Sequence, residues 1–219
     1  MRNNPFLNAL SVLVIAASAA VLWFTTHPGL NHADERLQAD LGRALAQEAL
    51  KLGQPSGKII AFVRDTDAFA SPATETALAS FLKELKQAGR AEPTIQRQQM
   101  DPLRPLQVPS GDFAEVLRRG AAGDVIVSFM GPPVIPTERR AAIGAVRAKV
   151  VAFCPGSIPE QVDLRFLADA GFLHAAILNR PVSGPGALPA SPRANVFDDL
   201  YVRASLTDLS ARQPISNAP

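Results

Sequence analysis

The chain has 219 residues, 47% of them hydrophobic, and its 22 Lys and Arg against 20 Asp and Glu leave a net charge of +2. That length holds an anchor, one domain of ordinary size and a tail. The basic residues (Arg97, Arg104, Arg118, Arg119, Arg139, Arg140, Arg147, Lys149) are scattered and not interleaved with aromatics, which argues against a nucleic-acid partner. The single cysteine, Cys154, excludes an internal disulfide and a cysteine-built zinc cage.

The first element is apolar. From about Pro5 to Thr26 there is no charge, and 9–24 reads ALSVLVIAASAAVLWF. About 20 such residues, at ~1.5 Å each, match a hydrocarbon core of ~30 Å, and in lipid a helix satisfies its own backbone. The expectation is a membrane-inserted segment at 6–26 within an N-terminal unit 1–28. Trp23 and Phe24 sit at its distal interface, and Arg2 lies on the inner side. Ala17-Ser18-Ala19 also fits a signal-peptide cleavage site, but the apolar run continues past it to Phe24. Either reading exports the rest of the chain, as a tethered domain in a bacterial periplasm or as a secreted one.

Residues 29–57 read as an amphipathic helix and linker. Leu37, Leu41, Leu45, Ala49 and Leu52 have helical spacing, Asp34 and Glu35 stand near the start, and Gly53 and Pro55 end it. It is expected to be either a stalk or the first helix on the sheet. An α/β domain comes next, at 58–181. Its strands are expected at 58–64 (KIIAFVR), 94–98, 124–129 (DVIVSF), 149–153 (KVVAF) and 173–178, and its helices at 71–88, 112–119, 137–145 and 159–170. The 71–88 helix has Ser71 as cap, Pro72 at its first position and a buried stripe of Leu78, Phe81, Leu82 and Leu85. Five strands alternating with four helices predict a three-layer, doubly wound parallel sheet of order 2-1-3-4-5, with any ligand at the carboxyl ends of strands one, three and four. Residues 182–219 read as a Pro/Gly/Ser-rich tail with a short helix at 196–209 around Phe197, Leu200, Tyr201 and Leu209.

Arg64-Asp65-Thr66-Asp67 ends the first strand. Its D-x-D resembles the nucleophile motif of haloacid-dehalogenase-type phosphatases, which implies Mg²⁺-assisted chemistry at Asp65 and Asp67 with Ser128 and the Asp198-Asp199 pair in support. Phe69 stands where that family has threonine, and 198–199 fall in the tail. Ser128, Phe129 and Met130 end the third strand where a response-regulator receiver needs aspartate, and no Gly-rich turn succeeds the first strand. Cys154 at the end of the fourth strand is more simply a buried thiol than a catalytic one. His27, His32 and His174 are too dispersed for a metal site, so no metal and no cofactor is expected.

The layout resembles one lobe of type I periplasmic binding proteins. Residues 58–89 look like their opening strand, loop and helix, and DVIVSFMG (124–131) and KVVAFCP (149–155) look like the strands that end at their cleft. The resemblance covers 58–181, one lobe of the two between which those proteins hold solute. It implies that Asp65, Phe69, Ser128 and Cys154 line half a cleft, with Asp67 in the same loop. The leading expectation is a membrane-tethered extracytoplasmic domain that binds an envelope protein, a second copy of itself or a small solute without catalysis. The alternatives are the phosphatase and an architectural subunit of a membrane assembly docked through 197–209.

Overall fold

The computed structural model describes residues 14–18, 21, 32–65, 71–99, 110–132, 143–144, 147–180 and 196–212. Residues 14–18 and 21 are helical, and the rest of the expected membrane segment lies outside the described residues. Among the described residues, no helix is long and apolar enough to cross a membrane. In chain order the elements are α1 (His32–Leu52), β1 (Ile59–Arg64), α2 (Pro72–Gln87), β2 (Thr94–Gln98), α3 (Ser110–Arg119), β3 (Val125–Ser128), β4 (Lys149–Cys154), α4 (Ile158–Gln161), α5 (Leu164–Asp169), β5 (Ala175–Asn179), α6 (Val196–Leu200), β6 (Tyr201–Ser205) and α7 (Leu206–Ser210). The helix expected at 137–145 lies outside them, except for Ile143, which is buried in the core, and Gly144.

The sheet has the order β2-β1-β3-β4-β5-β6. Its first five strands are parallel, as expected. The sixth corrects the expected five-stranded sheet: β6 pairs antiparallel with β5, Leu178 opposite Val202 and Asn179 opposite Tyr201. The segment 196–209, expected as one helix, instead divides into α6, β6 and α7. The reason is geometric. Phe197 belongs to the core on one face of the sheet and Leu209 to the core on the other. A single short helix cannot bury both, whereas a strand along the sheet edge carries the chain from one face to the other. The expected helix at 159–170 is likewise two, because Val162 is extended and Asp163 caps a new start by accepting from the Phe166 N–H at 2.9 Å.

Alternation along the strands sorts the core into two layers. Ile59, Ala61, Val63, Val127, Val151 and Ile177 pack with Leu41, Leu45, Leu78, Phe81 and Phe197 under α1, α2 and α6. Phe62, Ile126, Val150, Ala152 and Cys154 pack with Phe113, Leu164, Leu167 and Leu209 under α3, α5 and α7.

The stalk alternative for α1 is excluded by its burial. Leu41, Ala44, Leu45, Ala46 and Ala49 are at most 3% exposed, a wider arc than a stripe facing one neighbour. The helix lies on the sheet beside α2, and the two backbones almost touch: a Cβ on Gly42 would lie 1.9 Å from the Ala77 carbonyl oxygen. Two polar contacts tie the same crossing. Ser80 donates to the Ala39 carbonyl at 2.6 Å, and the Gln47 amide donates to Glu84 at 3.0 Å.

At the amino edge of the sheet the loops are cross-tied. Asp124 accepts from the Lys58 N–H at 2.8 Å and the Ala121 N–H at 2.9 Å. The Arg90 guanidinium donates to the Gly57 carbonyl at 3.0 Å and also to that of Gln54. Gly57 has no room for a side chain, since a Cβ there would meet the Gly123 carbonyl at 1.9 Å.

Candidate functional site

The order 2-1-3 places a topological switch between β1 and β3, and open α/β sheets leave a crevice at the carboxyl ends there. This chain has a cavity of about 250 Å³ at that point. Arg64, the last residue of β1, borders it although alternation turns its side chain to the Phe62 face, and Phe129, Met130, Phe153 and Pro155 surround it at the ends of β3 and β4. Ser71, Ala73, Thr74 and Ala77 of the first turns of α2 form a second wall. Gln38 and Leu41 of α1 close the third.

The aromatic walls are braced from behind. Phe129 meets Phe81 edge-on at 5.4 Å between ring centres, and Phe153 meets Tyr201 edge-on at 5.5 Å. Tyr201 in turn packs on Phe197 at 5.3 Å, so the tail segment fixes one wall. Side chains held this way lose little freedom when a ligand arrives. On the α2 wall, the Ser71 and Thr74 hydroxyls are hydrogen-bonded to each other at 2.9 Å. Glu75, one residue on, is paired with Arg97 at 2.8 Å.

Of the residues expected at the site, Asp67 and Phe69 lie outside the described residues. Asp65 is half-buried at the end of β1, where its N–H donates to the Gln98 carbonyl at 2.8 Å and prolongs the ladder to β2. Asp65 does not line the cavity. Ser128 is fully buried level with Phe62 and Ala152, and its hydroxyl accepts from the Met130 N–H at 3.3 Å. Cys154 is also fully buried, on the face with α5, and burial pushes its thiol up to about 12. Both side chains are therefore on the opposite face of the sheet from Phe129 and Phe153. The supports of a phosphatase are not brought together either: Asp198 and Asp199 sit in α6 at the β5–β6 edge, three strands away from β1.

Sequence reasoning misses Arg64 as a lining residue, together with the α1 wall and Phe153. The signal for Phe129 and Phe153 is alternation: each is a large aromatic displaced to the strand end, on the face that α1 and α2 cover. His174 fits its expected role as a satisfied core residue. Its Nδ1 accepts from the Val150 N–H at 3.2 Å, and burial, with Lys149 nearby, lowers its pKa to about 4. Among the described residues, no group of three or more His, Cys, Asp or Glu could hold a metal ion.

No family model matches the chain, and no curated protein matches it. Among solved structures it is similar to a sugar-binding protein of a sugar ABC transporter from Bacillus halodurans, at 13% identity and a TM-score of 0.41 over 64% of this chain and 45% of that one. It is also similar to a periplasmic binding protein/LacI transcriptional regulator from Alkaliphilus metalliredigens complexed with D-xylulofuranose, at 15% identity and a TM-score of 0.44 over 66% and 49%. A third is the periplasmic component of a sugar transport system from Hahella chejuensis, at 14% identity and a TM-score of 0.45 over 65% and 49%. These are proteins of the kind the sequence resemblance names, and the chain spans about half the length of each.

Proposed function

We propose that this chain is a membrane-tethered, extracytoplasmic domain that binds a small solute, without catalysis, in the cavity at the carboxyl edge of its sheet. The observation that carries the reading is the cavity itself: about 250 Å³ at the switch point, with braced aromatic walls. Concave, mostly apolar sites with a few polar groups are the usual form of a small-molecule site. The tether rests on the uncharged apolar run 6–26 that precedes α1.

Filling the cavity tests the binding reading. Ala73→Phe adds a ring to the α2 wall. A panel of small solutes should raise the melting temperature of the full chain and leave that of the variant unchanged. Equal shifts in both would place the binding elsewhere. The location is tested separately with Arg119→Cys, since Arg119 is 76% exposed and the native thiol is buried. A membrane-impermeant maleimide should label it in intact spheroplasts, and labelling only after lysis would put the domain inside the cell.

A further inference from the structure

We infer that Tyr201 is a positioning residue of the cavity: from outside, it sets the ring of Phe153 and with it the affinity for a solute. The inference rests on the reading that the cavity binds a solute at all, and it adds the control that β6 has over that site. Tyr201 does not line the cavity. By register, Phe153 stands opposite Ile177 of β5, and Ile177 opposite Arg203 of β6. Tyr201, two residues before Arg203 and on the same face, reaches across β5 to meet Phe153 edge-on at 5.5 Å. Phe197 packs behind it at 5.3 Å and is itself 2% exposed, so Tyr201 is backed by core.

The same strand bears on a second wall. Arg203 donates to Gln47 of α1 at 2.9 Å, stands 3.6 Å from Glu48, and lies over the Phe197 ring at 5.9 Å. α1 carries Gln38 and Leu41 to the cavity. Thus β6 supports both the Phe153 ring and α1, while none of its residues lines the cavity. Such a tie is reciprocal: if Tyr201 raises the affinity for a solute, that solute fixes Tyr201 by the same factor. A plain core role differs in its consequence. It would make loss of Tyr201 lower stability and leave the affinity of the folded chain unchanged.

Tyr201 is the only tyrosine of the chain, so 3-fluorotyrosine gives the full chain in detergent one fluorine signal, at that ring. Indole, benzamide and D-xylose are the probes, with binding scored as a rise in melting temperature that Ala73→Phe removes. A probe that binds should move the Tyr201 signal. Tyr201→Leu should weaken its affinity about two- to tenfold by isothermal titration, the worth of an edge-on aromatic pair, and Tyr201→Phe should keep the parent value. Val202→Ala is the control, because Val202 packs against the core on the opposite face of the same strand. Its melting temperature should fall and its affinity stay, and a loss of affinity equal to that of Tyr201→Leu would overturn the positioning role. If binding leaves the Tyr201 signal unmoved, or Tyr201→Leu binds as the parent does, that role falls and the cavity reading stands. If none of the three probes binds, both fall. Should Tyr201→Leu fail to fold, the fluorine signal of the parent decides alone.

Discussion

The two edges of the sheet are built from different side chains and put to opposite use. At the amino edge, Asp124 and Arg90 are turned onto backbone groups of neighbouring loops, and Gly57 lets the loop before β1 lie against the one before β3. Both of those charges have a partner within the fold. At the carboxyl edge β3 and β4 end in Phe129 and Phe153 around open volume, braced from behind by Phe81 and Tyr201. A charge that satisfies backbone closes an edge, whereas aromatics braced around open volume leave one accessible. Charge ties the amino edge shut and braced aromatics hold the carboxyl edge open.

Both edges depend on layers supplied from outside the central 58–181 region, so the largest effect should come from removing the tail. Deleting 196–219 strips β6 from β5 and takes away Phe197 and Leu209, each at most 2% exposed. Burial of two such side chains stabilises by about 2–3 kcal/mol apiece. With the lost ladder, the total of about 5 kcal/mol approaches the whole stability of a marginal domain. The truncated chain should show no cooperative thermal transition by circular dichroism. A transition within a few degrees of the parent's would mean that the tail only docks.

Gly42→Ala comes next. The added methyl would overlap the Ala77 carbonyl, so α1 and α2 must separate, at about 3 kcal/mol, and Leu41 and Ala77 of the cavity wall move with them. Stability and probe binding should fall together. Asp124→Ala supplies the contrast: two N–H groups lose their acceptor, at about 2 kcal/mol, but the damage is confined to the amino edge. Urea midpoints should drop while the affinity for a solute that raises the parent's melting temperature stays within about twofold. A parallel loss of affinity would erase the distinction between the edges.

The smallest effect concerns His174. Its folded pKa of about 4 lies below the ordinary value of 6.5, so between those values the unfolded chain holds the extra proton. Its contribution is fully present well above pH 6.5 and declines as pH falls through 6.5 towards 4. His174→Asn, which can still accept from the Val150 N–H, should show a shallower loss of urea midpoint between about pH 7 and about pH 4.5. Equal slopes would contradict the burial account.

How much of the molecule is legible in its sequence depends on how local each residue's signal is. The five parallel strands and the Ser71-Pro72 helix start are legible because continuous apolar runs and caps are local signals. β6 is not. Only Ala204 of Tyr201–Ser205 is buried, so the strand carries little apolar signature, and its partner β5 is more than 20 residues earlier. The role of α1 is half legible: its stripe is plain, but Gly42, Ala46 and Ala49 show their purpose only when α2 and the sheet lie against them. At the site, the strand-end rule leads to the edge that holds the cavity. Ser128 and Cys154 stand out there for their chemistry, although alternation turns both to the opposite face, and it leaves Phe129 and Phe153 on the cavity side.

Hydrogen–deuterium exchange of the full chain with and without a solute that raises its melting temperature tests most directly which edge binds. Slower exchange is expected at 38–41, 71–77, 129–130 and 153–155, with no change at 54–58 or 121–124. Protection at the amino edge instead, or none anywhere at a concentration that saturates calorimetric binding, would contradict a site at the carboxyl edge.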